Sequence, residues 1–330
     1  DAGKTFIEVL DNGCGMDEED SKRCFLSHAT SKIKKESDLH NLSTMGFRGE
    51  ALASIAAISQ VELKTKQEGK ELGTEVIIEG GKIKEENSTT CKKGTSIKVK
   101  NLFFNTPARR NFLKSDQIEN SHIMDEFIRI ALVNNDIKFS YYNNDKLILS
   151  IEKNNRKKRI IDLFGNTYND KLLSIEETVD IISISGFISS INLTRKNKND
   201  EYFFVNNRFM KSNYLANAVE RAYMNLIPEK TYPTFFISLT VNPKDIDVNI
   251  HPTKTEVKFV NEKAIYAILY AATRKTLGMN TLATTLDFEK KDIVFPHYDS
   301  KTPTPQQPKI NYNSSYNPFF KNSFNNDFDS

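Results

Sequence analysis

The chain has 330 residues, long for one domain and comfortable for two, with 27% charged residues and a net charge of only +3. No overall field draws it to nucleic acid or to an acidic surface, so any such contact must come from a local patch. Three cysteines, Cys14, Cys24 and Cys91, show neither a disulfide framework nor paired metal spacing. With no apolar run of membrane-spanning length and no visible signal peptide, the expectation is a soluble, cytoplasmic chain without a membrane partner.

In chain order, Phe6-Ile7-Glu8-Val9-Leu10 is apolar and β-branched enough for a buried strand, and Asp11-Asn12-Gly13 ends it abruptly in turn residues. A carboxylate at a strand tip can accept a hydrogen bond from an exocyclic amine such as adenine's. Gly13 and Gly15 let the backbone pass close to a flat ring. The plain alternative is a polar turn with a solvated Asp, because Asn-Gly is a common turn dipeptide. Cys14 in this turn reads as small packing. After Met16, Asp17 is the expected N-cap of a helix to about Ser27, with Glu18, Glu19 and Asp20 in a first turn whose dipole favours acids.

Ala29-Thr30-Ser31-Lys32 then opens a polar, basic segment through Lys35, with hydroxyls and an ammonium suited to phosphate oxygens; it reads as a loop over a ligand. Gly46-Phe47-Arg48-Gly49 leads straight into Glu50-Ala51-Leu52-Ala53, a strong helix former, and glycines before a helix leave free N–H groups for an anion. The spacing is not that of the dinucleotide fingerprint. The alternative is a glycine hinge with one surface Arg.

These three motifs, Asp11 to Met16, His28 to Lys32 and Gly46 to Leu52, resemble those of MutL-type DNA mismatch repair proteins. That family belongs to the GHKL ATPase superfamily, with gyrase B, the Hsp90 chaperones and sensor histidine kinases. Asn105-Thr106-Pro107-Ala108-Arg109-Arg110-Asn111-Phe112-Leu113 and Asp247 to Val257 agree with it, and the likeness covers residues 1 to about 278. The resemblance implies an ATP pocket: Asp11 for adenine, Gly13, Gly15 and Met16 beside it, Thr30, Ser31 and Lys32 in a lid, and Gly46, Phe47, Arg48, Gly49, Glu50, Ala51 and Leu52 around the phosphates. It also implies Mg2+ as cofactor. The family's first helix carries a catalytic Glu and a magnesium-binding Asn before an Asp-Ala-Gly. Here only Lys4 to Leu10 separate Asp1-Ala2-Gly3 from Asp11, too few for that match. The base and metal ligand are therefore expected to be missing from an N-terminally shortened chain, with no metal site among its own residues.

From Val61 to Val99 the pattern predicts an antiparallel meander with a turn at Gly80-Gly81. Gly94-Thr95 resembles a fourth nucleotide motif, whose hydroxyl at Thr95 helps hold the adenine-binding Asp. Thr106 as N-cap and Pro107 at the first helical position start a helix with a solvated basic face of Arg109, Arg110 and Lys114. A longer helix from about Gln117 to Val133 buries Ile123, Phe127, Ile130 and Ala131. Strands Ile137 to Tyr142 and Lys146 to Ile151 flank an Asn143-Asn144 turn. Arg156-Lys157-Lys158-Arg159 opens a helix ending at Gly165; such runs are usually solvated.

An acidic, loop-like stretch from Glu176 to Asp180 predicts the domain change, giving an ATP-binding domain over 1–178, a second domain over 179–280 and a disordered linker over 281–330. Phe319, Phe320 and Phe324 in that linker are a possible docking motif. In the second domain, strands up to Tyr202 to Val205 precede a helix, Asn213 to Leu226, burying Leu215, Ala218, Ala222 and Leu226, and then a half-buried strand with Phe235, Ile237, Leu239 and Val241 inward. That order is similar to the ribosomal S5 domain 2-like fold of the family, so the fold class is α+β: a GHKL (Bergerat) sandwich followed by this domain. Glu262 to Leu277 form a last helix capped by Gly278.

The resemblance gives Lys254 the catalytic role of reaching the γ-phosphate from the second domain, while His251 reads as loop packing. Arg208 and Lys211 are candidates for non-specific DNA contact, although Asn213 stands where relatives often keep a further basic residue. The function implied is an ATP-dependent dimeric clamp and matchmaker of DNA mismatch repair. It would be a homodimer closed through ATP-bound N-terminal halves and held by a C-terminal domain absent from these residues. Its partners would be a MutS-type mismatch sensor, non-specific DNA and a repair nuclease or helicase, in the bacterial cytoplasm at the nucleoid. This chain is expected to bind ATP without turning it over. The alternatives are a nucleotide-sensing scaffold without turnover and a gyrase-B-like ATPase.

Overall fold

The computed structural model of the protein describes residues 2–30, 49–247 and 258–287, the side chains only as far as 280 in the last stretch. The first sheet grows from alternation. In β2 (Gln60–Lys66), Val61, Leu63 and Thr65 are buried and the residues between are half-buried, as in a strand with one face on a core. With β1 (Phe6–Asp11), β3 (Gly73–Glu79), β4 (Lys82–Thr89) and β5 (Gly94–Lys100) it forms an antiparallel sheet in the order β1-β5-β2-β3-β4. The expected meander holds for β2 to β4, whereas β5 returns to the far side of β2 and separates it from β1.

Side chains directly opposite one another share a face, so the register arranges them in rows. Ile7, Val99, Val61 and Ile78 form one row; Val9, Ile97, Leu63 and Val76 form the next; Asp11, Thr95, Thr65 and Thr74 form the last. The β5, β2 and β3 members of the first two rows make a small core with Ala56 of α2 (Ala51–Ala57), Met16 and Phe25, which follows α1 (Glu18–Arg23). The opposite face is polar. Glu62 meets Lys98 at 3.1 Å and Lys100 at 2.7 Å, Lys64 meets Glu75 at 3.0 Å, and Ser96 donates to Glu8 at 2.9 Å.

α3 (Pro107–Asn111), α4 (Asp116–Val133), the β6 (Phe139–Asn143) and β7 (Lys146–Ile151) hairpin and α5 (Arg156–Phe164) lead to a second sheet. It comprises β8 (Leu172–Val179), β9 (Ile182–Ser189), β11 (Glu201–Val205), β12 (Arg208–Met210) and β14 (Phe235–Thr240), in the order β12-β11-β14-β9-β8. Two-residue strands β10 (Thr194–Arg195) and β13 (Tyr232–Pro233) pair beside it, as do β15 (Ile246–Asp247) and β16 (Lys258–Phe259). β11 and β14 run parallel, with α6 (Asn213–Tyr223) between them in sequence. One face, with Ile184, Phe203, Phe235 and Ile237, packs on α6 and α7 (Glu262–Asp287). The other, with Tyr202, Phe204 and Phe236, packs on Leu132 of α4, Ile160 and Ile161 of α5, and Tyr168.

Several expectations need correction. β1 is an edge strand and is exposed along its length, with Val9 64% and Leu10 74% accessible. Glu176 to Val179 are not a loop but the end of β8, because Leu172 and Ile175 bury the strand's inner face; the expected division at 178/179 falls inside the β8–β9 hairpin. β14 is buried on both faces, since α5 and Tyr168 cover Phe236. Arg159 is not solvated: it is fully buried, and its Nη2 donates to the carbonyls of Asn135, Ile137 and Glu152. α1 stops at Arg23, and α7 continues through Gly278 to Asp287. Ile130 and Leu226 are 41% and 40% exposed, while Leu132 is buried on α4. Thr106 precedes Pro107 as expected, but its hydroxyl makes no cap bond. Cys14 is exposed, so it is not packing.

The described residues up to Thr284 belong to one compact unit. Among the described residues no helix is long and apolar enough to cross a membrane. The aromatic residues expected to dock, Phe319, Phe320 and Phe324, lie outside the described residues.

Candidate functional site

The polar row of the first sheet ends at Asp11, whose position at the end of β1 follows from the Asn-Gly turn behind it. One Asp11 oxygen, Oδ1, accepts the Gly13 N–H at 2.9 Å, so the carboxylate folds back over its own turn, and the group as a whole stays exposed. The turn then runs against the end of β2. Gly15 has φ +70°, and a Cβ there would collide with the Lys66 carbonyl oxygen; only glycine fits that approach. The next residue, Met16, donates its N–H to Thr65 Oγ1 at 2.9 Å and turns its side chain into the core. Asp17 then caps α1 by accepting the Asp20 N–H at 2.8 Å.

The fourth motif joins this end of the sheet. Thr95 stands opposite Asp11 on β5 and opposite Thr65 on β2, and the two threonine hydroxyls are 3.1 Å apart. Thr65 is fully buried and its Oγ1 also lies 3.1 Å from the Gly94 carbonyl. The sequence reading missed Thr65 because a lone Thr in a strand carries no chemical signal. Its cross-strand place beside Thr95, which only the register reveals, was the available sign.

The second and third motifs also meet. Gly49 has φ +64°, and a Cβ on it would run into the Ala29 carbonyl oxygen, so the residue before Thr30 and the glycine before α2 are in contact. His28 Nδ1 lies 3.4 Å from Glu50 Oε1. Glu50 occupies the N-cap position of α2 without a side-chain cap bond; Ala51 is exposed at the first helical position and Leu52 is half-buried. Ser31, Lys32, Gly46, Phe47, Arg48, His251 and Lys254 lie outside the described residues.

Arg208 and Lys211 lie together at the β12 edge of the second sheet, far along the chain from the polar row. Arg208 is half-buried, and burial holds its guanidinium below the usual arginine range; Lys211 is exposed. On β11, within reach of the Lys211 charge, Glu201 has a buried Oε1 with no hydrogen-bond partner, and burial together with the Glu220 charge pushes its carboxyl up to about 7. Among the described residues no group of three or more His, Cys, Asp or Glu side chains converges as a metal site would require. The row of Asp11, Thr95 and Thr65 instead suits a ligand with hydrogen-bond donors on a flat edge.

The family described as histidine kinase-, DNA gyrase B-, and HSP90-like ATPase matches residues 1–107, and that described as DNA mismatch repair protein, C-terminal domain, matches residues 160–278. The chain is 49% identical to the DNA mismatch repair protein MutL of Flavobacterium psychrophilum over 97% of its own length and 52% of the relative's. It is 47% identical to that of Bacteroides fragilis over 97% of this chain and 51% of the other. Among solved structures, the N terminal domain of a DNA repair protein superposes with TM-score 0.72 at 26% identity, covering 86% of this chain and 88% of that one. The Aquifex aeolicus MutL ATPase domain complexed with ADP gives 0.56 at 23% identity, over 73% and 81% of the two chains, which speaks for the fold. The chain spans about half the length of the curated relatives it matches. With motifs, sheet order and relatives in agreement, this chain belongs to the MutL-type DNA mismatch repair proteins and carries their α+β ATPase fold.

Proposed function

We propose that the polar end of the first sheet binds the adenine of ATP, with Mg2+ bound alongside, and that the nucleotide drives a repair clamp in the longer protein. The observation that carries this reading is the Asp11-Thr95-Thr65 row set against the Gly13-Cys14-Gly15-Met16 turn. Asp11 accepts from the adenine amine, and the backbone of Gly13 and Gly15 passes along the ring with Met16 beside it. Thr30, Ser31 and Lys32 cover the nucleotide. The segment Gly46 to Leu52 holds the phosphates, with Arg48 the positive charge and Ala51 and Leu52 opening the helix behind it. Lys254 reaches the γ-phosphate from the second sheet's side, coupling nucleotide state to the arrangement of the protein. The ADP complex of the Aquifex aeolicus relative supports the nucleotide class.

In the longer protein, ATP closes two such halves into a homodimer over DNA, with permanent dimerisation supplied beyond these residues. A MutS-type sensor would load this clamp and a repair nuclease or helicase would follow it. DNA affinity is non-specific and falls with salt, with Arg208 and Lys211 as contacts. None of the motifs present supplies a general base, so these 330 residues alone are expected to bind ATP without turnover. Magnesium-dependent binding and hydrolysis of ATP by the chain, with Asp11→Asn and Lys254→Ala beside it, tests the reading. Binding should fall at least tenfold in Asp11→Asn, and Lys254→Ala should weaken ATP more than ADP. Equal ATP affinity in all three proteins would overturn the assignment, and rapid hydrolysis by the chain would place a base within it.

A further inference from the structure

Thr65, which like Thr74 belongs to no motif, makes the most side-chain hydrogen bonds in the polar row. Its hydroxyl has one proton and two lone pairs. The Met16 N–H at 2.9 Å takes one lone pair. The Gly94 carbonyl at 3.1 Å has no proton to give, so this contact requires the Thr65 proton. In the 3.1 Å contact with Thr95, the donor must then be Thr95, because Thr65 has no second proton. Thr95 therefore points its proton inward and leaves only lone pairs for whatever lies beside Asp11, its cross-strand neighbour on the same face. Asp11 is an acceptor as well, so this end of the row accepts hydrogen bonds and donates none.

We infer that Thr65 is a positioning residue for base selection: it takes up the Thr95 hydroxyl proton and tethers Met16, so that Asp11 and Thr95 select a purine carrying an exocyclic amine over one carrying a carbonyl. The inference rests on the nucleotide reading above. An amine donates into the pair of acceptors, whereas a carbonyl oxygen there would face two oxygens with no proton between them, an arrangement that leaves polar groups unpaired. Thr65→Val keeps the shape, frees the Thr95 proton to turn outward and leaves the Met16 N–H without its acceptor. Thr65→Ser keeps the whole pattern.

The experiment is a pair of dissociation constants, for non-hydrolysable analogues of ATP and of ITP, which differ at the amine position. They are measured on the full chain, on Thr65→Val, Thr65→Ser and Asp11→Asn, with Met16 amide exchange recorded on the same samples. Thr65→Val should lose at least tenfold in ATP affinity, lose at least fivefold in preference for ATP over ITP, and speed Met16 exchange at least tenfold. Thr65→Ser should stay within twofold of the parent in all three. If Thr65→Val fails to fold, Thr65→Cys, of similar size but with a weak donor and acceptor, takes its place with the same expectations. Unchanged affinity and preference in the Thr65 variants, while Asp11→Asn loses binding, would overturn the role of Thr65 and leave the nucleotide reading intact. Absence of binding by the parent chain would overturn both.

Discussion

The two five-stranded sheets use the same alternation to opposite ends. The first has one apolar face, one charged face and an exposed edge strand, and its two apolar rows stop short at a polar one. The second is apolar on both faces, with α6 and α7 on one side and α4, α5 and Tyr168 on the other. A half-covered sheet leaves polar groups at its end within reach of a ligand, at the cost of a small core. A sheet covered twice has no such opening and gains rigidity from the added burial. The candidate site thus sits on the sheet with the smaller core.

The contrast is sharpest in large-to-small substitutions. Phe236, 3% exposed among the rings of Phe164, Tyr168 and Tyr202, should cost about 3–5 kcal/mol when changed to Ala. Val9→Ala on β1 should stay within about 0.5 kcal/mol, since Val9 is 64% exposed. Urea unfolding of both variants checks this; similar losses would mean that β1 is as buried as the second sheet. Next in size is Arg159→Met, which keeps the bulk but strips the carbonyls of Asn135, Ile137 and Glu152 of a shared donor. A loss of about 2–4 kcal/mol is expected, with faster amide exchange in the β6–β7 hairpin. No loss would show that water already satisfies those carbonyls.

The smallest effects come from two carboxylates shifted in opposite directions. Burial and the Glu220 charge hold the Glu201 carboxyl at about 7, above its usual 4.5. The stability it contributes is fully present below 4.5 and is lost as pH rises through about 7, so Glu201→Gln should stabilise the protein by about 1–2 kcal/mol at pH 8 and little at pH 5. Hydrogen bonds from Lys100, then Lys98, draw Glu62 down to about 2. Its contribution is present above 4.5 and lost as pH falls through about 2, so Glu62→Gln should cost up to about 1 kcal/mol at pH 7 and nothing near pH 2. Thermal melts across pH 2–8 should therefore show the two variants diverging from the parent in opposite senses as pH rises.

Local chemistry was legible in the chain itself. The β1 tip at Asp11, the Asp17 cap, the Gly80-Gly81 turn, β2, β5, β11 and the presence of helices α4 to α6 follow from short-range patterns, because alternation, capping and turn preferences act over a few residues. The glycine turns of the candidate pocket were legible as turns, and Gly15 and Gly49 do take left-handed backbone against a neighbouring carbonyl; their service to a ligand is the proposal made above. Tertiary structure alone decided the rest. Whether Arg159 is solvated or buried, whether Glu176 belongs to a loop or a strand, and whether Phe236 faces water depend on which element lies opposite, and no window of sequence contains that partner. The same holds for Thr65, an ordinary strand residue in sequence, which gains Met16, Gly94 and Thr95 as neighbours only when β5 folds back between β1 and β2.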